Sequence, residues 1–219
     1  KVQLSRNGHL ANTVHPHSVL EQAGLASGLL TQDQIDHAWN ELVRSPEAAN
    51  VSLDEVNDQL LADTLVRLGH LNRWQAVQLQ QGRTKFTLGP YQIVDTIGYG
   101  GMGYVFKCEH TLLGRIEAIK VLPRQQMDPA SLGSFLREIR AQAKLDHPNL
   151  VRLTFADRDG DTYFLVTEYV PGSDLRKLIR LHGPLSAVHA AWVASETAKA
   201  LDYAHQLGLV HRDVKPGNL

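Results

Sequence analysis

The sequence lacks disulfides, long apolar runs and a dominant charge, and each absence excludes a class of protein. One cysteine, Cys108, in 219 residues excludes an internal disulfide and any metal site built from several cysteines. The chain has no apolar run of roughly eighteen residues and no signal-peptide core, so we expect a cytoplasmic chain without a membrane segment. Lys and Arg total 22 against 23 Asp and Glu, a net charge of −1. This balance gives no reason to expect a nucleic-acid partner.

The N-terminal third is predicted to be helical. Residues 1–17 show little periodicity, and we interpret them as a flexible lead-in. From residue 18 to about 81, apolar residues recur at intervals of three and four. Capping-box patterns mark the helix starts at Thr31 with Gln34, Ser52 with Glu55, and Asn72 with Gln75. Residues 28–34 resemble residues 69–75, which suggests one helix-turn-helix unit used twice.

Charge decides between two functions for this helical region. A DNA-binding helix-turn-helix needs a basic face, whereas residues 1–88 hold 7 Lys or Arg against 9 Asp or Glu. We therefore predict that residues 18–88 form a small docking or regulatory domain. Its partner would be a protein or a small ligand.

The period changes from helical to alternating after Gly89-Pro90, which predicts a domain boundary near residue 88. A strand beginning at Tyr91 enters a Gly-x-Gly-x-x-Gly sequence, residues 98–103. Dinucleotide-binding folds use the same glycine spacing, but there the glycines open a helix. Here residues 104–108 are aromatic and β-branched and predict a returning strand, so the glycines form a hairpin tip.

Four further patterns follow: a strand, a helix, a hairpin and a terminal loop. A third strand carries Glu117-Ala118-Ile119-Lys120, and a helix capped by Asp128 carries Glu138. Residues 151–156 and 162–168 predict a hairpin across Asp159-Gly160, which completes a five-stranded antiparallel sheet. The chain closes on His211-Arg212-Asp213-Val214-Lys215-Pro216-Gly217-Asn218-Leu219. A carboxylate, a cation and a carboxamide in one short loop are what phosphoryl transfer requires.

These residues resemble the signature set of the protein kinases, in the version found in bacterial serine/threonine kinases. The final loop matches HRDxKPxN at every fixed position. The resemblance implies an α+β fold: a helical N-terminal domain, a kinase N-lobe of five strands and one helix over residues 89–170, and the beginning of a helical C-lobe over 171–219. It also implies transfer of the ATP γ-phosphoryl group to Ser or Thr hydroxyls of protein substrates.

The resemblance also implies a role for each matching residue. Asp213 would orient or deprotonate the substrate hydroxyl, Lys215 would neutralise phosphoryl charge, and Asn218 would bind Mg²⁺. Lys120 would bind the α- and β-phosphates of ATP and form an ion pair with Glu138. Without the resemblance, Glu138 could equally be a surface carboxylate. The remaining nucleotide-binding positions would be Ile97, Gly98, Gly100, Gly101, Gly103, Val105, Ala118, Thr167, Glu168, Val170 and Asp174. Asp174 fits a ribose contact and a helix N-cap equally well.

The sequence contains no Asp-Phe-Gly, begins with Lys1 and stops within a family motif. We therefore expect a fragment of a longer protein, one that a segment outside this chain could anchor to a membrane. We also expect the 219 residues alone not to turn over ATP. Two alternatives remain: a pseudokinase that keeps the fold without the chemistry, and a protein whose functional unit is the helical domain.

Overall fold

The chain forms two units, and the computed structural model describes residues 18–45, 58–100, 103–122 and 128–219 of them. The first unit extends to Leu88 and includes Gln92–Asp95, and the second comprises Gly89–Tyr91 and Thr96–Leu219. Two hydrogen bonds show why Gln92–Asp95 belongs to the first unit. The amide of Ile93 donates to the Phe86 carbonyl at 2.8 Å, and Asn72 Nδ2 donates to the Val94 carbonyl at 2.7 Å.

Within its described residues the first unit is built on helices α1 (Val19–Ser27), α2 (Gln32–Arg44), α3 (Asp58–Arg67) and α4 (Arg73–Gln80). The capping boxes predicted at α2 and α4 are both confirmed. Each satisfies two amide donors that a helix start leaves unpaired. The third predicted box, Ser52 with Glu55, lies outside the described residues.

One apolar core holds these helices together. Trp39 on α2 is buried in it, and its Nε1 donates to Oε1 of the buried Glu21 at 2.6 Å. This bond provides a partner for a carboxylate that would be costly to bury alone. The other fully or nearly fully buried large side chains of this core are Leu20, Ile35, Leu42, Leu61, Leu65 and Leu79.

The strands are β1 (Thr87–Leu88), β2 (Tyr91–Gly100), β3 (Gly103–His110), β4 (Ile116–Val121), β5 (Leu153–Asp159) and β6 (Thr162–Glu168), in the sheet order β1-β2-β3-β4-β6-β5. The predicted count of five strands was wrong. The sixth strand, β1, is only two residues long, too short for an alternating pattern to reveal it. The pairings of β3 with β4, β4 with β6 and β5 with β6 are antiparallel, as expected.

The helices of the second unit are α5 (Pro129–Gln142), α6 (Leu175–His182) and α7 (Ala187–Gln206), followed by a 3-10 turn over Pro216–Asn218. Helix α5 packs Leu132, Phe135 and Ile139 against Leu122 and Leu165 of the sheet region. These positions form one stripe of a helix, because residues three and four apart share a face. The packing fixes the rotation of α5 about its axis.

Helix α7 has buried residues only near its C-terminal end, at Ala200 and Ala204. Val188 and Trp192 remain 77% and 65% exposed, because the described residues do not cover that part of the helix. Within the described ranges, no helix combines the length and the apolar character needed to span a bilayer.

Candidate active site

An ion pair joins strand β4 to helix α5. Nζ of Lys120 in β4 lies 2.7 Å from Oε1 and 3.0 Å from Oε2 of Glu138 in α5. Both side chains are about four-fifths buried, with exposures of 23% and 22%. Partial burial strengthens the attraction relative to a fully exposed pair.

Strand register and helix packing bring these two residues together. Lys120 pairs with Val105 on one side and Leu165 on the other, so the three side chains share one face of the sheet. Leu165 contacts the core beneath α5. Glu138 follows the buried Phe135 by three residues and therefore points from α5 toward the same face. Gln142, one turn later, donates to Glu138 Oε1 at 3.2 Å and helps to fix the carboxylate.

A second charged cluster lies in the loop that follows α7. Nζ of Lys215 lies 2.8 and 2.6 Å from the two carboxylate oxygens of Asp213. Nδ2 of Asn218 donates to the carbonyl of Asp213 at 2.8 Å and to its Oδ2 at 3.1 Å. Two side chains within the next five residues thus converge on one carboxylate.

The backbone of this loop is held in an unusual conformation. Among the described residues, Arg212 is the one non-glycine residue with positive φ, at 61°. Such strain persists only where the surroundings enforce it. The amide of Asp213 donates to His211 Nδ1 at 3.1 Å, and the amide of Leu175, at the start of α6, donates to the Leu219 carbonyl at 2.8 Å. These bonds fix both ends of the loop.

The cluster controls the ionisation of its central carboxylate. The hydrogen bond from Lys215 is the main cause that holds the pKa of Asp213 below its ordinary value. The hydrogen bond from Asn218 and the positive charge of Lys215 add to this effect. Asp213 is therefore ionised at neutral pH. A carboxylate with a lowered pKa is a weak proton acceptor but a strong hydrogen-bond acceptor.

Both clusters line one cavity of about 940 Å³, close to the upper end of the range for small-molecule sites. Lys120, Glu138, Asp213, Lys215 and Asn218 supply its charged and polar groups. Leu145, Leu150, Leu201, Ala204 and Leu209 supply an apolar part of the wall. This wall could not be predicted from the sequence, because its residues come from separate segments of the chain. The cavity combines a large apolar surface with a few convergent charges.

The glycine-rich segment contributes to the cavity at its C-terminal end. Gly98 and Gly100 lie at the end of β2, and Gly103 begins β3 and lines the cavity together with Val105. Gly103 has φ 124°, a conformation that residues with a Cβ rarely adopt. Gly101 lies outside the described residues.

The remaining predicted nucleotide contacts do not line this cavity. Ala118 and Thr167 are register partners and lie side by side on the same face as Lys120, followed by Glu168 at the end of β6. Ile97 and Val170 are 44% and 61% exposed. Asp174 acts as the N-cap of α6: its Oδ1 accepts from the Lys177 amide at 2.9 Å, and this bond lowers its pKa.

Two contacts that the sequence did not reveal connect the α5–β5 segment to α7. Asn149 Nδ2 donates to the carbonyl and the carboxylate of Glu196 at 3.0 and 2.8 Å. The amide of Asp146 donates to the Tyr203 hydroxyl at 3.2 Å. The signal for Asn149 was present in His147-Pro148-Asn149, but its partner lies 47 residues away.

The donor set around Asn218 fits one ligand of a magnesium site. Its Nδ2 is directed to Asp213, which leaves the amide oxygen, a hard donor, for a cation. In the part of the chain that the structure describes, no group of three or more His, Cys, Asp or Glu residues could hold a metal by itself. Phosphate oxygens and water would have to complete the octahedral shell that Mg²⁺ prefers.

The sequence profile described as "Protein kinase domain" matches residues 91–219. This is more than half of the chain, and the chain therefore belongs to the protein kinase family. The match covers β2 to β6, α5 to α7 and both charged clusters.

Several of the most similar relatives are bacterial kinases, and the resemblance to bacterial serine/threonine kinases is confirmed. Serine/threonine-protein kinase PrkC of Bacillus subtilis is 39% identical over 135 residues, which cover 60% of this chain and 20% of that protein. Serine/threonine-protein kinase PknA of Mycobacterium tuberculosis is 39% identical over 137 residues, 60% of this chain and 32% of that one. The PknI kinase domain of M. tuberculosis has a similar solved structure, with a TM-score of 0.52 and 31% identity over 60% of this chain and 54% of that one. The chain thus spans a fifth to a third of these curated relatives.

Proposed function

We propose that this chain provides the nucleotide-holding half and the catalytic loop of a serine/threonine protein kinase. The observation that carries the proposal is the convergence of two charged clusters, Lys120 with Glu138 and Asp213 with Lys215 and Asn218, on one cavity. The first cluster comes from the sheet and α5, and the second from the loop after α7. A phosphoryl donor and an acceptor hydroxyl require these two kinds of group on opposite sides of the reacting phosphorus.

The first cluster would hold ATP. Lys120, oriented by Glu138, places a cation in the cavity for the α- and β-phosphates. The backbone amides around Gly98 to Gly103 would approach the phosphate oxygens, which a side chain would block. Ala118, Thr167 and the backbone of Glu168 and Val170 would contact the adenine ring, with Ile97 and Val105 as apolar neighbours. Asp174 can contact the ribose only through the carboxylate oxygen that does not cap α6.

The second cluster would perform the transfer. The hydroxyl oxygen of a substrate Ser or Thr attacks the γ-phosphorus, the bond from that phosphorus to the β–γ bridging oxygen breaks, and ADP leaves. Asp213 accepts a hydrogen bond from the hydroxyl, orients it and takes up its proton late in the transfer, as the new oxygen–phosphorus bond forms. Its lowered pKa makes orientation, rather than early proton removal, its main role. Lys215 offsets negative charge on the transferred group. Mg²⁺, with Asn218 as one ligand, would neutralise phosphate charge.

Nucleotide binding and phosphotransfer test the proposal separately. We expect the 219-residue chain to bind ATP with Mg²⁺, measured by titration calorimetry, and to show no turnover alone. The same residues joined to the remainder of a kinase C-lobe should phosphorylate a Ser/Thr protein substrate, and Asp213→Asn should abolish that activity. Failure to bind ATP contradicts the proposal. Phosphotransfer that survives Asp213→Asn contradicts the role of the loop and favours another catalytic group.

We further propose that the helical unit is a docking or regulatory module for a protein or small ligand. Its support is a core of its own and an excess of acidic residues that disfavours nucleic acid. A pull-down with the whole chain, compared with a chain lacking residues 18–88, tests the proposal. We expect a partner to be captured at micromolar concentration only by the whole chain; equal capture by both contradicts it.

A further inference from the structure

A buried carboxylate lies directly behind the predicted adenine contact. Glu117 precedes Ala118 in β4 and is 4% exposed. In the corresponding kinase motif, Val-Ala-Ile-Lys, a valine stands at the position of Glu117. A valine side chain carries no charge, so its burial removes no hydrated charged group from water. A buried carboxylate is strongly destabilising when it lacks partners. Its contacts therefore decide what this residue does.

Register places Glu117 on the face of the sheet opposite to the cavity. Glu117 pairs with Glu168 of β6, and Ala118 pairs with Thr167. Because successive residues of a strand point to opposite faces, Glu117 points away from Ala118, Lys120 and Thr167. It can reach the nucleotide site only through the strands that form its wall.

The carboxylate of Glu117 binds an irregularity in the neighbouring strand. Leu153 pairs with Thr167 and Phe155 with Val166, so Thr154 is the extra residue of a β-bulge in β5. Thr154 Oγ1 donates to Glu117 Oε1 at 2.8 Å and lies 3.3 Å from the Val166 carbonyl. The bond reaches from β4 to β5 across β6, which lies between them.

Two other side chains lie near this carboxylate. Arg115 Nη2 lies 3.9 Å from Glu117 Oε2. The phenol of Tyr91 is buried nearby, and burial, followed by the negative charge of Glu117, raises the pKa of Tyr91. The second carboxylate of the pair, Glu168, accepts from the Arg152 amide at 2.8 Å. Glu117 therefore binds β5, and Glu168 binds the residue that immediately precedes it.

We propose that Glu117 is a positioning residue for the nucleotide site. By holding the bulge at Thr154, it fixes β5 against the end of β6 and so sets the position of Thr167 and Glu168 relative to Ala118. The inference rests on the proposed function, because it assigns the adenine side of the site to these residues. An alternative without this coupling would make Glu117 a stabilising contact that has no effect on ligand affinity.

Substitutions of Thr154 separate these two roles with little change in volume. Thr154→Val removes the hydroxyl, and Thr154→Ser retains it. Thr162→Val, at the start of β6, is the matched control. The dissociation constants of ATP with Mg²⁺ and of adenosine are measured by calorimetry well below each variant's melting temperature, so that the whole sample is folded. Loss of a charge-assisted hydrogen bond that acts through a strand should weaken both ligands roughly three- to tenfold in Thr154→Val.

Rescue and ligand dependence complete the test. Thr154→Ser should bind both ligands within about twofold of the unsubstituted chain, and Glu117→Gln, which keeps an acceptor oxygen, should lie between Ser and Val at this site. Unchanged affinity in Thr154→Val, an equal loss in Thr162→Val, or no rescue by Thr154→Ser overturns this inference while leaving ATP binding intact. Absence of ATP binding by the unsubstituted chain overturns the proposed function and this inference with it.

Discussion

The Lys120–Glu138 ion pair gives the most direct prediction about nucleotide binding. Exposed ion pairs contribute about 0–1 kcal/mol, whereas hydrogen bonds to charged groups contribute about 1.5–3 kcal/mol. The Lys120 ammonium contacts both oxygens of Glu138, and each of the two side chains is about one-fifth exposed. We therefore expect the pair to stabilise the observed position of the ammonium group by about 1–2 kcal/mol. Removing the ammonium itself also removes its contact with phosphate.

We therefore expect a graded loss of ATP affinity. Lys120→Met should weaken binding of ATP with Mg²⁺ by about 10- to 100-fold, which corresponds to about 1.5–3 kcal/mol. Glu138→Gln keeps the shape of the side chain but removes the charge that holds the Lys120 ammonium in place. It should weaken ATP binding by about three- to tenfold. Calorimetric titration of the 219-residue chain measures both constants, and thermal unfolding confirms that each variant is folded.

The control is an ion pair of the same type outside the cavity. Lys199 lies 2.5 Å from Glu196 on α7, and the lysine side chain is 61% exposed. Lys199→Met should leave ATP affinity within about twofold of the unsubstituted chain, as expected for an exposed pair. The reasoning is refuted if Lys120→Met binds ATP as the unsubstituted chain does, or if Lys199→Met loses as much affinity as Lys120→Met.

Four further predictions concern ionisation, the pH dependence of stability, thiol reactivity and helix capping. Lys215→Met should raise the pKa of Asp213 toward its ordinary value, because the hydrogen bond from Lys215 is the main cause of its lowering; carboxyl NMR shifts followed with pH measure this, and an unchanged pKa contradicts it. In the native chain the contribution of Asp213 to stability should be complete above its ordinary pKa and be lost as pH falls through the lowered one, since protonation removes the paired carboxylate. Cys108 is fully buried with its pKa raised to about 12 by that burial, so a thiol reagent at pH 8 should label it only after unfolding, and rapid labelling of the folded chain would show the thiol to be accessible. Thr31→Ala should destabilise the helical unit by about 1 kcal/mol through loss of a cap, and Asn72→Ala should cost roughly 1 kcal/mol more, because Asn72 also donates to the Val94 carbonyl; equal losses in denaturant melts would contradict this.

Local sequence patterns predicted the elements well wherever a short-range rule applied. The capping boxes at Thr31 and Asn72, the Asp128 cap of α5 and the antiparallel hairpins each depend on residues within a few positions of one another. The predicted roles of the site residues stay predictions, although the structure shows which of them are in contact. Lys120 meets Glu138, and Asp213 meets Lys215 and Asn218.

Tertiary structure decided the features that depend on distant residues. The apolar wall at Leu145, Leu201 and Leu209 comes from separate segments, and a single sequence carries no signal that brings them together. The same limit explains the missed contact between Asn149 and Glu196, which lie 47 residues apart. Strand β1 was missed for another reason: its two residues are too few to show an alternating pattern.

The sequence by itself determined the family and the order of the charged residues. The motif HRDxKPxN and the residues around Lys120 are recognised by short, fixed spacings between neighbouring residues, which the sequence shows directly. Only the tertiary structure placed Glu117 behind the strand that carries Lys120 and against the bulge at Thr154. The reason is physical: Glu117 and Thr154 lie 37 residues apart, and the strand order together with one extra residue in β5 determines whether they meet.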